Sequence, residues 1–418
     1  MARICIIGAS LGGLMAANML LRDGHDVQVL EKVEGSLDGR GAGIVTHPAL
    51  SVALSRCGVP SFDEVSHEAL GVEVQTRVAL DAHGREVARL DMPQVLTSWS
   101  RLYAVLRRGF PADRIHSGVT VTAFGQDASG VHISGLAAAN GTRQFEGDLL
   151  IASDGLRSAV RAQLAPLAVP EYAGYIAWRG VCDEAALSAH TLHTAFPYFA
   201  FGLPEGEQLI GYPVAGTHNN TSPGQRRWNF VWYRPAAAAE LQDLLTDDDG
   251  IHHPLGIAPQ RMRAGHAQAM LQAAHRLLAP QFAEIIARTA QPFVQPIFDV
   301  ASERLAFGRV ALMGDTAFVA RPHVGMGVTK AAEDAMALSD SIRTHGATAQ
   351  ALTAFEAERL PAGKAVVERA RRLGSYLAAQ ANSAPTLRDE AAVLRDTAIN
   401  LNTSQKRTQT HHNEALAH

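Results

Sequence analysis

The apolar positions of the chain fall into three patterns. The first is a short unbroken run, Ile4–Ile7, followed by a glycine-rich turn and then by apolar residues at helical spacing. An unbroken apolar run of this length suits a parallel strand buried on both faces. It predicts a strand over Arg3–Ile7, a helix over Leu11–Asp23 closed by Gly24, and a second strand over Asp26–Leu30 that ends at Glu31. That order is a βαβ opening. A glycine-rich loop, Gly35–Gly43, and a helix over Pro48–Cys57 follow. The second pattern lies mid-chain, where short aromatic-rich segments read as antiparallel strands: Tyr175–Val181, Tyr198–Leu203, Leu209–Val214 and Trp228–Tyr233, with a hairpin turn at Pro204–Glu207. Alternation puts Trp228, Phe230 and Trp232 on one face and Asn229, Val231 and Tyr233 on the other. The third pattern begins at Arg309, where RVALMGD reads as a buried strand ending at a polar site. A helix is predicted over Lys330–Arg343, then a long charged helix over Ala351–Gln380 with a kink at Pro361. Residues 400–418 read as a loose polar tail.

Composition narrows the function classes. Of 418 residues, 47% are hydrophobic and 19% charged, enough apolar material for two or three domains, or two interleaved ones. The net charge is −4 and no basic stripe or tail is present, which argues against a nucleic-acid partner. Cys5, Cys57 and Cys182 are far apart with no CxxC, so neither a disulfide framework nor a zinc site is expected, and a reduced, cytoplasmic setting is. His252-His253 and His411-His412 lack HExxH spacing or cysteine partners, so no metal site is expected. The first twenty residues mimic a signal peptide, but the glycine turn and following helix fit a nucleotide-binding unit better. No apolar run reaches the roughly 18 residues of a membrane span, and no membrane association is expected.

The first candidate site is Gly8-Ala9-Ser10-Leu11-Gly12-Gly13, between the opening strand and its helix. A dinucleotide pyrophosphate needs a tight turn, exposed backbone and a helix N-terminus aimed at its charge. Gly8 supplies the turn, Gly13 permits close helix–strand packing, and Ser10 stands where the fingerprint has its second glycine. Glu31, 23 residues after Gly8, is placed to accept from ribose hydroxyls. Leu11, Lys32 and Arg40 complete the N-terminal candidates. This motif alone does not choose between NAD and FAD.

Two later segments do. Leu149–Arg161, with Asp154-Gly155 at its centre, resembles the Asp-Gly motif of the group A flavoprotein hydroxylases, the para-hydroxybenzoate hydroxylase type. Arg309–Ala317, with Gly314-Asp315, continuing through Pro322-His323-Val324-Gly325-Met326-Gly327, resembles their Gly-Asp motif. The resemblance runs from about residue 3 to about residue 375. It implies a Rossmann-like α/β FAD-binding domain interleaved with an antiparallel-sheet substrate domain, plus C-terminal helices. On that pattern the FAD-binding domain takes residues 1–65, 105–165 and 295–345; the substrate domain takes 66–104 and 166–294; a helical segment takes 346–399. The resemblance implies bound FAD, with Asp315 on the ribityl chain, Gly325, Met326 and Gly327 at the flavin ring, and Asp154 organising the region between. Pro322 packs near the flavin in this family. A transient NADH or NADPH, with NADH favoured, and a homodimer are implied as well.

Further segments are similar to the 2,6-dihydroxypyridine 3-hydroxylase branch: Gly41-Ala42-Gly43-Ile44-Val45 with Pro48, Tyr172–Tyr175 with Trp178-Arg179-Gly180, Asn229-Phe230 with Trp232-Tyr233, and Ala320–His323. One position departs from the wider family. Trp99 stands where many members carry an FAD-binding Arg, and Arg101 is out of register. The implied reaction is hydroxylation of an electron-rich ring, such as a hydroxypyridine, by NAD(P)H and O2 through a flavin C4a-hydroperoxide. Trp178, Tyr198 and Tyr212 are the aromatic candidates for substrate contact, Arg321 for an anionic substrate, and His323 and His47 for a base. Three rivals remain: a phenol or other aromatic acid as substrate, another FAD reaction such as epoxidation, or a non-catalytic FAD-binding protein. A halogenase is disfavoured because no Trp-x-Trp-x-Ile-Pro segment is present.

Overall fold

The computed structural model describes residues 1–35, 37, 43–59, 70–137, 141–378 and 388–399. Arg40, most of the glycine-rich loop and the 400–418 tail lie outside them. The chain opens with β1 (Arg3–Ile7), α1 (Leu11–Arg22) and β2 (Asp26–Glu31). Then come β3 (Gly43–Val45), α2 (Pro48–Arg56), a hairpin of β4 (Val72–Leu80) and β5 (Glu86–Ser98), and α3 (Trp99–Gly109). Short β6 (Ile115–Ser117) precedes β7 (Val119–Gln126), β8 (Val131–Ala137), β9 (Gly141–Gly147), β10 (Leu149–Ala152) and α4 (Ala159–Leu164). The middle holds β11 (Glu171–Asp183), α5 (Ala189–Thr194), β12 (Phe199–Gly202), β13 (Gln208–Val214), β14 (Arg227–Pro235), α6 (Ala238–Leu244), α7 (Ala264–Leu277) and α8 (Pro280–Ala287). The last part is β15 (Phe293–Ala301), β16 (Ala306–Phe307), β17 (Val310–Leu312), β18 (Phe318–Val319), α9 (Gly327–His345), α10 (Ala349–Ala378) and α11 (Glu390–Asp396).

Two large sheets organise these elements. One is six-stranded, ordered β16-β17-β10-β1-β2-β6, and parallel except at β16. Its central strands are buried and apolar on both faces, as parallel strands under helices must be. Helix α1 is buried from Leu11 to Leu20, because the sheet packs on one side and α3 and α9 on the other. The second sheet is nine-stranded, β18-β15-β11-β14-β13-β12-β4-β5-β3, antiparallel except where β12 meets β4. A small sheet, β7-β8-β9, stands beside the first. The architecture is the Rossmann-like domain with an antiparallel-sheet domain and C-terminal helices read from the sequence. By strand pairing, β15 and β3 join the nine-stranded sheet, so residues 295–301 and 43–45, which the sequence grouped with the cofactor domain, sit on the other side of the boundary. Helix α10 runs through Pro361 as one helix.

The large sheet has two unlike faces. Trp178, Trp228, Phe230 and Trp232 pack with Met270, Ala274, Phe282 and Ile286 under α7 and α8. Tyr175, Tyr212, Val231 and Tyr233 share the opposite face with Val45, Leu394 and Ala398.

Candidate active site

The three motifs meet in one cavity of about 510 Å3, lined by Gly8, Ser10, Leu11, Gly12, Glu31, Lys32, Asp154, Gly314, Asp315 and Gly327, among others. Parallel strands β1, β10 and β17 are neighbours and all end on this side, so their following loops converge. Gly8 has φ +101°, and a Cβ there would sit 2.3 Å from Ser153 O. A Cβ on Gly13 would sit 1.9 Å from Gly8 O. Only glycine fits either position, which is the close turn and close helix approach the fingerprint requires. Glu31 braces the turn: Ala9 N donates to one carboxylate oxygen at 2.8 Å and Val33 N to the other at 2.9 Å. Each oxygen keeps a lone pair for a further donor.

The second and third motifs are tied to each other. Thr316 Oγ1 donates to Asp154 Oδ1 at 3.1 Å and accepts from Gly155 N at 2.8 Å. Buried Arg161 donates to Thr316 O at 3.0 Å and to Gly155 O at 3.3 Å. Asp334 Oδ2 accepts from Gly314 N at 2.9 Å, and Arg359 on α10 donates to Asp334 Oδ1 at 2.8 Å. Asp315 is left half-exposed in the cavity, with Lys330 Nζ 3.6 Å away. Beyond it, Gly325 takes a left-handed turn with φ +63°, and α9 starts at Gly327 with no side-chain cap, leaving its first amides without intrahelical acceptors. Lys32 and Arg157 are the basic side chains lining the cavity among the described residues, and Trp99 lines it too, stacked on Tyr103 at 4.9 Å.

Four of the residues picked for substrate or proton chemistry are placed differently from the expectation. Trp178 points to the helix-covered face of the large sheet, and Tyr198 packs at the margin of that same cluster beneath the Arg89 guanidinium. Only Tyr212 of the three aromatics lies on the face turned to the Gly325 loop, because strand alternation separates it from Trp178 and because β12 begins one residue after Tyr198. Arg321 is committed to Asp299, donating from Nε at 3.0 Å and from Nη2 at 2.9 Å, so its charge is already matched. His323 is fully buried, shares a 2.9 Å hydrogen bond with Tyr175 Oη and lies 4.2 Å from the Tyr233 ring. Burial, with Arg388 and Arg321 nearby, pushes its pKa down to about 3, which makes it a poor proton acceptor at neutral pH. His47 is also buried, which lowers its pKa. Its Nε2 lies 3.1 Å from Gly325 O. A carbonyl only accepts, so Nε2 carries the proton and Nδ1 is the basic nitrogen.

A family profile described as FAD binding domain-like matches residues 172–299. The chain is 31% identical over 376 residues to 2,6-dihydroxypyridine 3-monooxygenase of Paenarthrobacter nicotinovorans, covering 90% of this chain and 91% of that one. It belongs to the group A FAD-dependent aromatic hydroxylases. The solved structure of 2,6-dihydroxypyridine-3-hydroxylase from Arthrobacter nicotinovorans superposes with a TM-score of 0.82 at 29% identity, over 90% of this chain and 92% of that one. Klebsiella pneumoniae HpxO, solved with FAD and uric acid, superposes with a TM-score of 0.72 at 26% identity, over 88% of this chain and 87% of that one.

Like other group A hydroxylases, this chain is therefore an FAD-dependent monooxygenase of an aromatic substrate, using NAD(P)H and O2. Its residues fit the cofactor: two glycines that tolerate no Cβ, a carboxylate beside the turn, a second carboxylate left open in the cavity and an uncapped helix start. For this hydroxylase, sequence reasoning missed Thr316, Asp334, Arg359, Lys330 and Asn229. Asn229 Oδ1 accepts from Gly43 N at 2.9 Å, while its Nδ2 is buried without a partner among the described residues. The sequence did carry one signal for it: a polar residue on the Val231–Tyr233 face, within the apolar and aromatic stretch Trp228–Tyr233. Among the described residues no helix is long and apolar enough to cross a membrane.

Proposed function

We propose that this hydroxylase acts on an electron-rich nitrogen-containing aromatic ring that bears oxygen, of the hydroxypyridine type, with NADH as reductant. The observation that carries the reading is the near full-length similarity to 2,6-dihydroxypyridine 3-monooxygenase. A second relative, 25% identical over 357 residues and covering 82% of this chain and 83% of that one, is 6-hydroxynicotinate 3-monooxygenase of Pseudomonas fluorescens. The choice of NADH rests on the family resemblance alone.

Bound FAD, reduced by the nicotinamide, supplies the chemistry: one oxygen atom of O2 goes to the ring and the other leaves as water, with NADH oxidised and one proton consumed. The chain's own residues position and protect. The fingerprint backbone and the start of α1 hold the pyrophosphate, with Ser10 narrowing the approach only slightly. Glu31 accepts from ribose hydroxyls with its free lone pairs, and Asp315 from the ribityl hydroxyls. The Gly325–Gly327 amides would serve the pyrimidine edge of the flavin ring, while the Met326 side chain packs with Val366 and Ala370 of α10 and leaves Pro322 as the apolar residue proposed beside the flavin. Asp154 holds the two later motifs in register through Thr316. Lys32 and Arg157 offset pyrophosphate charge where Trp99 replaces the usual Arg.

On the substrate side, Tyr212 and Asn229 present one ring and one amide donor from an apolar face that keeps water away. The Gly43 amide fixes the acceptor end of Asn229, which leaves Nδ2 to donate to a ring oxygen. His47 Nδ1 is the candidate to draw a proton from a ring hydroxyl. His323 holds Tyr175 and Tyr233 in place instead.

The test follows NADH oxidation by the FAD-loaded protein with and without 2,6-dihydroxypyridine and related hydroxypyridines, with peroxide measured in parallel. Strong stimulation with little peroxide is expected. Stimulation with mostly peroxide assigns the ring to a non-substrate trigger. No stimulation by any hydroxypyridine overturns the substrate class and moves the search to phenols and aromatic acids.

A further inference from the structure

Lys330, in the first turn of α9, is fully buried, with a relative exposure of 0%. Among the described residues its ammonium has no hydrogen-bond partner, and its ion pair is with Asp315 at 3.6 Å. Lysine is almost never wholly buried unless paired, and a buried charge is expensive to keep. The buried positions that flank it on the helix are Thr329, Ala331, Ala332, Asp334 and Ala335. The partner is unlike its lysine: Asp315 is 58% exposed and lines the cofactor cavity. The pair is thus a concealed cation under an open carboxylate. Nearby, Arg359 pairs with both Asp334 and Glu333, whereas the ion pair of Lys330 among the described residues is with Asp315.

We propose that Lys330 is a positioning residue that acts on the flavin through Asp315, holding that carboxylate toward the cofactor and cancelling its charge. The proposal rests on the assignment of Asp315 to the ribityl chain. When cofactor hydroxyls replace water on Asp315, screening of the pair falls and its attraction strengthens. Two-electron reduction of the flavin with uptake of one proton adds a negative charge to the cofactor. A bare carboxylate beside it opposes that charge, and a carboxylate neutralised by Lys330 does not. An uncompensated ammonium favours it. The two single substitutions therefore have opposite signs.

The experiment measures FAD affinity of the apoprotein by fluorescence titration, and the reduction potential of the bound flavin by equilibration with a reference dye. K330M is expected to lower the potential by about 30 mV, a tenfold change in the two-electron equilibrium. D315N is expected to raise it and to weaken FAD binding at least tenfold. The double variant returns to within about threefold of the wild-type equilibrium. K330Q serves as a second neutral variant should K330M fail to fold. An unchanged potential in both lysine variants, with D315N weakened in FAD binding, overturns the role of Lys330 alone. D315N that binds FAD as tightly as the wild type overturns the assignment of Asp315 and the proposal with it. Shifts of the same sign in K330M and D315N also overturn it, because general loosening of the site moves both one way.

Discussion

Gly13 shows how a single missing side chain makes a site. Its absent Cβ is what lets α1 approach Gly8 O, and the same approach brings the helix start to the cavity. Gly13→Ala places a methyl 1.9 Å from that carbonyl, so the turn must move. We expect FAD affinity to fall at least tenfold, about 1.4 kcal/mol, while the far-ultraviolet spectrum stays native; titration of the apoprotein reads it. His323 gives a pH prediction at the same scale. An unfolded histidine protonates near 6.5, whereas His323 in the fold does so near 3. Between those values the unfolded chain takes up a proton that the folded chain refuses. The stability contributed by the neutral ring is complete above pH 6.5 and is lost as pH falls toward 3. Urea unfolding at pH 7.5 and 5.5 should show the wild type losing about 1 kcal/mol that His323→Gln does not lose. Equal losses in both proteins would show that His323 is not the group responsible.

At the scale of elements, α11 depends on one buried cation from a distant strand. Arg77 on β4 is fully buried, and its guanidinium donates to Leu394 O at 2.6 Å, Thr397 O at 2.7 Å and Gln94 Oε1 at 2.6 Å. Burial lowers its pKa to about 9, so it stays charged at neutral pH. Leu394 and Ala398 then close the apolar face that also holds Tyr212 and Tyr233. Ala398 N donates to His323 O at 2.9 Å. Arg77→Met removes three acceptors' partner at once. It should cost about 1–3 kcal/mol of stability and make the chain beyond Ala378 a preferred site of protease cleavage. A variant cleaved no faster than the wild type would mean that apolar packing and the remaining hydrogen bonds, such as Arg369 to Asp396 O, hold α11 without Arg77. None of this was legible in the sequence: Arg77 sits in a strand that the hydrophobic pattern did not mark, and its partners Leu394 and Thr397 are more than 300 residues away.

At the scale of the molecule, the cofactor cavity joins elements from widely separated stretches of chain. Its lining runs from Ile7 through Trp99, Val121 and Asp154 to Ala331. Arg359 on α10 reaches back to the same loop through Asp334. Ligand binding should therefore stabilise the fold as one unit. With free FAD at a hundred times its Kd, the stabilisation is about 2.7 kcal/mol, read as one thermal transition moving to higher temperature. Two transitions, of which only one moves, would show that the nine-stranded sheet unfolds independently of the cofactor domain.

The sequence by itself determined whatever rests on local geometry. A left-handed turn needs Gly8, a buried parallel strand needs an apolar run, and alternation assigns Trp228 and Tyr233 to opposite or like faces without any fold in view. Those rules made the parallel opening, the aromatic sheet and the three motifs readable. The tertiary structure decided what depends on which surfaces meet. Alternation defines two faces of a strand but not which one α7 and α8 will cover, so Trp178 and Tyr198 were assigned to the wrong side. Arg321 read as an available charge until Asp299 was found beside it, and His323 read as a base until its burial was known. Lys330 looked like an ordinary helix residue, and only the fold put its ammonium beneath Asp315. Charge pairing and proton affinity are set by what surrounds a group in space, and sequence spacing does not encode that.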